Sequence, residues 1–272
     1  YCVSTRAAPV FVLHSAYLRA GGKSGVPGVR YCRCGGCAGV IFSVLIRLSC
    51  IVNIMLSDSP TNCLVVMARV PQAGQVKTRL MPVLGRVGAM HLYTGLLTDT
   101  LDRLSQSVQY DRYLSCAPDV RHAVFHRYHR HGRWKLQQQP SGDLGMRMTR
   151  IFSLLLRRYK AVLVVGSDLV NLGSDEVEWG CKALATGADL VIGSTHDGGY
   201  GMIGMKRLHA GLFRGMPWST PRVANITLAR ARRLKLQVSQ LHGLQDIDTP
   251  MDYYHWRSGR LRENTGSRIL IP

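Results

Sequence analysis

At 272 residues, 46% hydrophobic and 19% charged, the chain is long enough to bury a sizeable core and too apolar to be a disordered polyelectrolyte. Lysine and arginine number 35 against 16 aspartate and glutamate, a net charge of +19. Such a surplus points to anionic partners, whether nucleotides, nucleic acid or an acidic membrane face, without choosing among them.

Residues 1–54 hold six basic residues, no acidic one and five of the eight cysteines, so they differ in kind from the rest. The chain begins at Tyr1, and its first methionine, Met55, lies just ahead of the first convincing strand. The expectation is that Met55 is the initiator, that 1–54 is a non-native or disordered extension, that 55–260 forms one domain and that 261–272 is a tail. A rival reading takes Ala38 to Leu56 as a membrane segment. Arg47 near its middle opposes this, because a charge at the bilayer centre costs ~2.5 to 3.5 kcal/mol on insertion scales. CRCGGC, with Cys32, Cys34 and Cys37, has a single CxxC spacing, too little for a structural zinc site. Cys63, Cys116 and Cys181 are scattered singly, as small buried hydrophobes are in a reducing compartment, and a cytoplasmic location is expected.

From Cys63 onward, short apolar runs alternate with segments of helical period, the pattern of an α/β domain with a mostly parallel sheet. Cys63 to Val70 reads as a first buried strand, followed by a Pro/Gly loop, PQAGQVKTRL. Gly88 to Leu104 carries a helical stripe of Met90, Tyr93, Leu96, Leu97, Leu101 and Leu104. A strand follows near Tyr110 to Cys116, then a basic stretch without clear period, RHAVFHRYHRHGRWK. Gly142 to Tyr159 reads as a helix, and Ala161 to Val165 as a strand buried on both faces that ends in GSD. Next come a helix over Asp175 to Thr186, a strand over Asp189 to Ile192, and a glycine-rich strand or hairpin in GGYGMIGM. The last elements are a helix over Thr220 to Leu234, a short strand over Gln237 to Leu241 and a helix over Thr249 to Trp256.

Open α/β sheets bind ligands at the carboxyl ends of their strands. After the first strand come Gly74, Lys77 and Arg79, and after Val165 come Ser167 and Asp168. A loop of this kind offers backbone N–H groups and basic side chains to a diphosphate. It lacks the GxxxxGK[ST] spacing of a nucleoside-triphosphatase loop, and taken alone it is as readily a solvated basic patch. Asp168 reads as a metal-binding carboxylate or as the N-cap of the next helix. HDGGYGMIG suits close backbone approach to a ligand or an ordinary hairpin turn. In QDIDTPMD, Asp248 reads as a helix cap or a second metal ligand, with Asp246 and Asp252 beside it.

Taken in order, CLVVMARVPQAGQVKTRLMPVLG, QQQPSGDLGMRM, VLVVGSDLVNL, DLVIGSTHDGGYGMIGM, LFRGMPWST and DIDTPMD resemble the glycosyltransferase-like family related to the deazaflavin-cofactor guanylyltransferase. That family is also described as radical-SAM/selenodomain-associated transferase 1, with members tied to arsenosugar biosynthesis. The resemblance spans about Cys63 to Tyr254. It implies a nucleotide-diphospho-sugar transferase fold of glycosyltransferase type A and a metal-dependent glycosyltransferase that moves a sugar from a nucleotide-diphosphate donor to a small-molecule acceptor. The implied alternatives are a nucleotidyltransferase acting on a phosphorylated small molecule and a catalytically impaired nucleotide-binding relative.

By the same resemblance, Ala68, Arg69, Gly74, Lys77 and Arg79 hold the nucleotide and its phosphates, while Asp168 and Asp248 hold Mg²⁺ or Mn²⁺. Gly198, Gly199 and Tyr200 line the acceptor side, Trp218 and Ser219 form a nearby wall, and Asp197 is the candidate base. The implied partners are a nucleotide sugar or nucleotide and a small acceptor, rather than nucleic acid or a membrane. Five positions depart from the usual pattern. Leu169, Val170 and Asn171 stand where Cys, Pro and Asp are usual, and Met146 stands where an acid is common. His196 likewise replaces an acid before DGGY, so altered activity is one expectation. The competing reading of RHAVFHRYHRHGRWK is a nucleic-acid surface in which aromatics stack on bases between basic side chains, set against a plain solvated basic face.

Overall fold

The computed structural model describes residues 61–130 and 133–259, all within the compact unit that begins at Asp58. The expectations for 1–54, for CRCGGC, for the Ala38 to Leu56 segment and for the 261–272 tail lie outside the described residues. Among the described residues no helix is long and apolar enough to cross a membrane.

The strands are β1 (Asn62–Arg69), β2 (Tyr110–Ala117), β3 (Lys135–Gln138), β4 (Ala161–Gly166), β5 (Leu190–Thr195), β6 (Tyr200–Met205) and β7 (Val238–Leu244). The helices are α1 (Met81–Leu104), α2 (Ala123–Arg130), α3 (Leu144–Leu155), α4 (Ser174–Ala185), α5 (Val223–Arg233) and α6 (Pro250–Arg257). Seven strands form one sheet in the order β3-β2-β1-β4-β6-β5-β7. Every pairing is parallel except those of β6, which runs antiparallel to both β4 and β5. The expected mostly parallel sheet flanked by helices is therefore the architecture observed.

Helices on both faces explain why the central strands read as unbroken apolar runs. Along β1, Leu64, Val66 and Ala68 enter one core cluster while Cys63 and Val65 enter another, and β4 splits Leu163 and Val165 from Val162 and Val164 in the same way. The first cluster is closed by Leu97 and Leu101 of α1 and Val177 and Leu184 of α4, the second by Ile151 and Phe152 of α3 and Ala231 of α5. A third cluster packs Tyr253 and Trp256 of α6 against Leu92 and Leu96 of α1. Cys63, Cys116 and Cys181 are buried and free, as expected.

Three local readings are corrected. Within α1, Gly85 adopts φ 70 and ψ 172, so helical geometry breaks there and the long apolar stripe begins only beyond it, near the expected Gly88. The basic stretch without period holds α2 and ends on the first residue of the edge strand β3, whose four residues KLQQ carry too little apolar alternation to announce a strand. Its aromatics Phe125, Tyr128 and Trp134 are buried, which among the described residues leaves no aromatic platform there and makes Arg121, His122, Arg127, His129, Arg130 and Arg133 a solvated face. Finally, α5 begins at Val223, so Thr220 and Pro221 precede the helix rather than opening it.

Candidate active site

The strand ends converge as expected, and the first residue to fix the site is Lys77. It sits in the loop after β1 with left-handed backbone geometry, φ 47 and ψ 45, and its side chain is only 4% exposed. Its Nζ donates to Asp168 Oδ2 at 2.7 Å and to Asp248 Oδ1 at 2.6 Å. The left-handed conformation costs a non-glycine residue roughly 1 to 2 kcal/mol, whereas each hydrogen bond to a charged group contributes about 1.5 to 3 kcal/mol, so the two bonds outweigh the strain. Burial acts to lower the Lys77 pKa, but the charges and hydrogen bonds of Asp168 and Asp248 dominate and hold it above its ordinary range.

Neither aspartate caps a helix. Gly173 precedes α4, and Thr249 caps α6 by accepting from the Asp252 N–H while Asp252 reaches back to the Thr249 N–H. The capping readings of Asp168 and Asp248 are thus corrected, and both carboxylates are free to face Lys77. Asp246 joins them. Burial first, then the charges of Asp168, Asp248 and Asp197, push its carboxyl up to about 7, with Lys77 opposing.

The three departures after Asp168 serve packing and clamping. Leu169 and Val170 are buried, and Asn171 donates from Nδ2 to the Gly243 carbonyl at 2.7 Å while its Oδ1 accepts the Gln245 N–H at 2.9 Å. Val170 N–H donates to Gln245 O at 2.9 Å, and Leu169 forms an antiparallel bridge with Asp246. Arg103 of α1 adds bonds to the carbonyls of Leu169 and Leu172. The loop that carries Asp168 and the loop that carries Asp246 and Asp248 are thereby tied together.

On the other side of the strand ends, Tyr93 Oη accepts the Arg69 N–H at 2.8 Å and lies 3.0 Å from Ser167 Oγ, which links the β1 and β4 loops. Buried Gln139 donates to the carbonyls of Ala68 and Ser115 and accepts from Arg147 Nη1 at 3.2 Å. Together these groups border a cleft of about 750 Å³ lined by, among others, Arg69, Lys77, Arg79, Asp168, Asp248 and Arg147.

Of the sequence-predicted site residues, Asp197, Tyr200, Trp218 and Ser219 also line this cleft. Tyr200 and Trp218 meet edge to face, with ring centroids 6.4 Å apart at 83°. Ala68, Gly74, Gly198 and Gly199 do not border it. Ala68 faces the core, and Gly74 (φ 87) lies against the Arg86 guanidinium. Gly198 (φ 83) passes so near Pro221 that an added Cβ would stand 2.1 Å from its carbonyl oxygen, so the position admits only glycine. Gly199 N–H and Thr195 Oγ1 both donate to Asp197 Oδ1, at 2.9 and 2.5 Å. The DGG segment is therefore a hairpin turn between β5 and β6 that also brings Asp197 to the cleft. Sequence reasoning missed Arg147, Gln139 and Tyr93, and it gave Asp246 no role. The first two belong to the QQQPSGDLGMRM block, which held their signal.

Among the described residues no group of three or more His, Cys, Asp or Glu could hold a metal by itself. Asp168 and Asp248 nonetheless converge on one point, and magnesium commonly takes one or two carboxylates with phosphate oxygens and waters. The donor set fits a cation that arrives with a phosphate ligand rather than a resident ion.

The family described as "Uncharacterized protein conserved in bacteria" (DUF2064) matches residues 100–220. No curated protein matches the chain. Among solved structures, a "putative nucleotide-diphospho-sugar transferase" from Desulfovibrio desulfuricans G20 is similar at 28% identity, with 74% of this chain and 88% of that one covered and a TM-score of 0.65. A 4-diphosphocytidyl-2C-methyl-D-erythritol synthase from Anaerococcus prevotii DSM 20548 aligns at 14% identity over 76% of this chain and 98% of that one, with a TM-score of 0.49. A glucosyl-3-phosphoglycerate synthase from Mycobacterium tuberculosis in complex with Mn²⁺ and uridine diphosphate aligns at 15% identity over 89% and 88%, with a TM-score of 0.42. The last two likenesses are too distant to carry an argument. The sheet order and the Desulfovibrio relative together give the chain the nucleotide-diphospho-sugar transferase fold.

Proposed function

We propose that the chain is a transferase that binds a nucleoside diphosphate sugar in the strand-end cleft and moves the sugar to a small-molecule acceptor. The observation that carries this reading is the convergence of Asp168, Asp248 and Lys77 at the mouth of a cleft also lined by Arg79 and Arg147. The name of the Desulfovibrio relative and the resemblance of the six sequence blocks to deazaflavin-guanylyltransferase relatives support it.

Breaking the bond between sugar and diphosphate leaves negative charge on the departing phosphates. Lys77, Arg79 and Arg147 stabilise that charge from the cleft lining, which is worth most where water is excluded. Asp168 and Asp248 would hold Mg²⁺ or Mn²⁺, which supplies Lewis-acid charge to the same phosphates. Asp197 takes the acceptor proton through Oδ2, because Oδ1 is engaged by Thr195 and Gly199. Tyr200 and Trp218 give the acceptor an aromatic wall.

A second reading, nucleotidyl transfer to a phosphorylated acceptor, uses the same cleft. It is favoured by the number of cations, since Arg69, Lys77, Arg79 and Arg147 suit a triphosphate as well as a diphosphate. Incubation of the purified chain with Mn²⁺ and a panel of donors separates the two. Release of nucleoside diphosphate from a sugar donor supports glycosyl transfer, release of pyrophosphate from a triphosphate supports the second reading, and neither product from any donor and acceptor pair would sink both.

A further inference from the structure

The Lys77 ammonium stands at the one point toward which Asp168 and Asp248 both turn an oxygen, at 2.7 and 2.6 Å. A divalent ion and an ammonium facing the same two carboxylates repel each other at close range, so binding of one weakens binding of the other. We infer that Lys77 is a built-in counter-cation that keeps divalent metal out of the Asp168 and Asp248 pair until a diphosphate enters the cleft and draws the ammonium away. This rests on the reading of the cleft as a metal and diphosphate site.

Three observations support the exchange. The Lys77 side chain is 4% exposed against 27% and 42% for Asp168 and Asp248, so the lysine lies beneath the carboxylates rather than in solvent. Without it, the charges of the two converging carboxylates, both of which act on Asp246, would attract a cation unopposed. The loop that carries Lys77 also carries Arg79 into the cleft, so a bound diphosphate lies within reach of both, and the four-carbon stem of a lysine turns without moving the backbone. A diphosphate then acts twice, offering Lys77 a new partner and supplying phosphate oxygens to the metal. Metal and diphosphate therefore bind with positive coupling, each raising the affinity for the other by the same factor.

The test is Mn²⁺ uptake by the full chain, followed by the electron paramagnetic resonance signal of free Mn²⁺, with and without uridine or guanosine diphosphate. For the wild type, diphosphate should tighten Mn²⁺ binding at least about tenfold. Lys77→Gln and Lys77→Met should bind Mn²⁺ alone at least about tenfold more tightly than the wild type, and lose most of the coupling. Lys77→Gln keeps an N–H donor near the carboxylates and so guards against a variant that fails to fold, which circular dichroism checks. If the folded Lys77 variants take up Mn²⁺ alone no more tightly than the wild type, while Asp168→Asn weakens uptake, the counter-cation role is wrong and the metal site stands. If Asp168→Asn leaves uptake unchanged, the metal reading fails and the inference goes with it.

Discussion

The two ends of the strands handle charge in opposite ways. At the amino ends, Asp111 of β2 is fully answered: Lys135 Nζ and Tyr159 Oη each donate to its Oδ2 at 2.5 Å, and Tyr159 stands edge to face with Tyr113. Burial pushes the Asp111 carboxyl up, but the bonds from Lys135 and Tyr159 outweigh it and hold the group below the ordinary carboxylate range. At the carboxyl ends, Asp168 and Asp248 share one buried lysine, and Asp246, under the charges of Asp168, Asp248 and Asp197, is driven the other way. One end is built to be stable. The other holds charge that a ligand completes, which is how a site differs from a scaffold made of the same residue types.

Substitutions can break this contrast, and the largest effect is expected at Asp168. Asp168→Asn should lower turnover of the preferred donor about 10²- to 10³-fold, the usual scale for one electrostatic group in the transition state. Initial rates with circular dichroism as a folding control would measure it. Equal turnover in the folded variant would place the chemistry elsewhere.

Gly198→Ala is next, since its Cβ would collide with the Pro221 carbonyl at a positive φ. A loss of about 1 to 3 kcal/mol in urea unfolding is expected for such overpacking. An unchanged midpoint would mean that the hairpin and the Pro221 segment separate without cost.

Asp246→Asn probes the charge-laden end by pH. A carboxyl raised to about 7 contributes stability below the ordinary pKa near 4 and loses it as pH rises through 7. The asparagine variant should therefore match the wild type below pH 4 and gain a higher Tm progressively up to pH 8. A gain independent of pH would remove the charge explanation.

The smallest effect belongs to the amino ends. Tyr159→Phe should cost about 0.5 to 1.5 kcal/mol at neutral pH, the ordinary net value of one hydrogen bond. The sign of the pH dependence is opposite to that at Asp246. The stability that Asp111 contributes is present above the unfolded carboxylate pKa and is lost as pH falls through the depressed folded value. Comparison of the two variants between pH 3 and 8 sharpens the contrast between the ends.

The parts of the fold that were legible in the sequence are those buried on both sides. CLVVMA and AVLVV allow no other placement for so many consecutive apolar residues, and the α3 and α4 periods follow from packing on one face only. The strand β3 was not legible because KLQQ lies at the sheet edge with no residue fully buried. The reversed direction of β6 was legible as one of two readings, because Asp197-Gly198 signalled a hairpin turn as well as a ligand loop, and that turn, not the composition of YGMIGM, sets the direction. In the site, Lys77, Asp168 and Asp248 were each readable as polar groups at strand ends. Their mutual contact was not, because Lys77 and Asp168 are 91 residues apart in sequence and Lys77 and Asp248 are 171 apart, and only the sheet order brings them together. Asp248 was open to reading as a cap because Thr249, one residue on, does that work.

Asn171 gives the site an unusual mechanical property. Because its amide bridges Gly243 and Gln245 while Val170 N–H binds Gln245 O, the Asp168 loop cannot open without releasing the Asp248 loop. The amide hydrogens of Val170 and Gln245 should then exchange with deuterated solvent at one shared rate, as a single opening unit, while the turn around Gly199 exchanges on its own schedule. The two acids that meet at Lys77 are thus fastened into one hinge leaf, and the acid proposed as base rides on another.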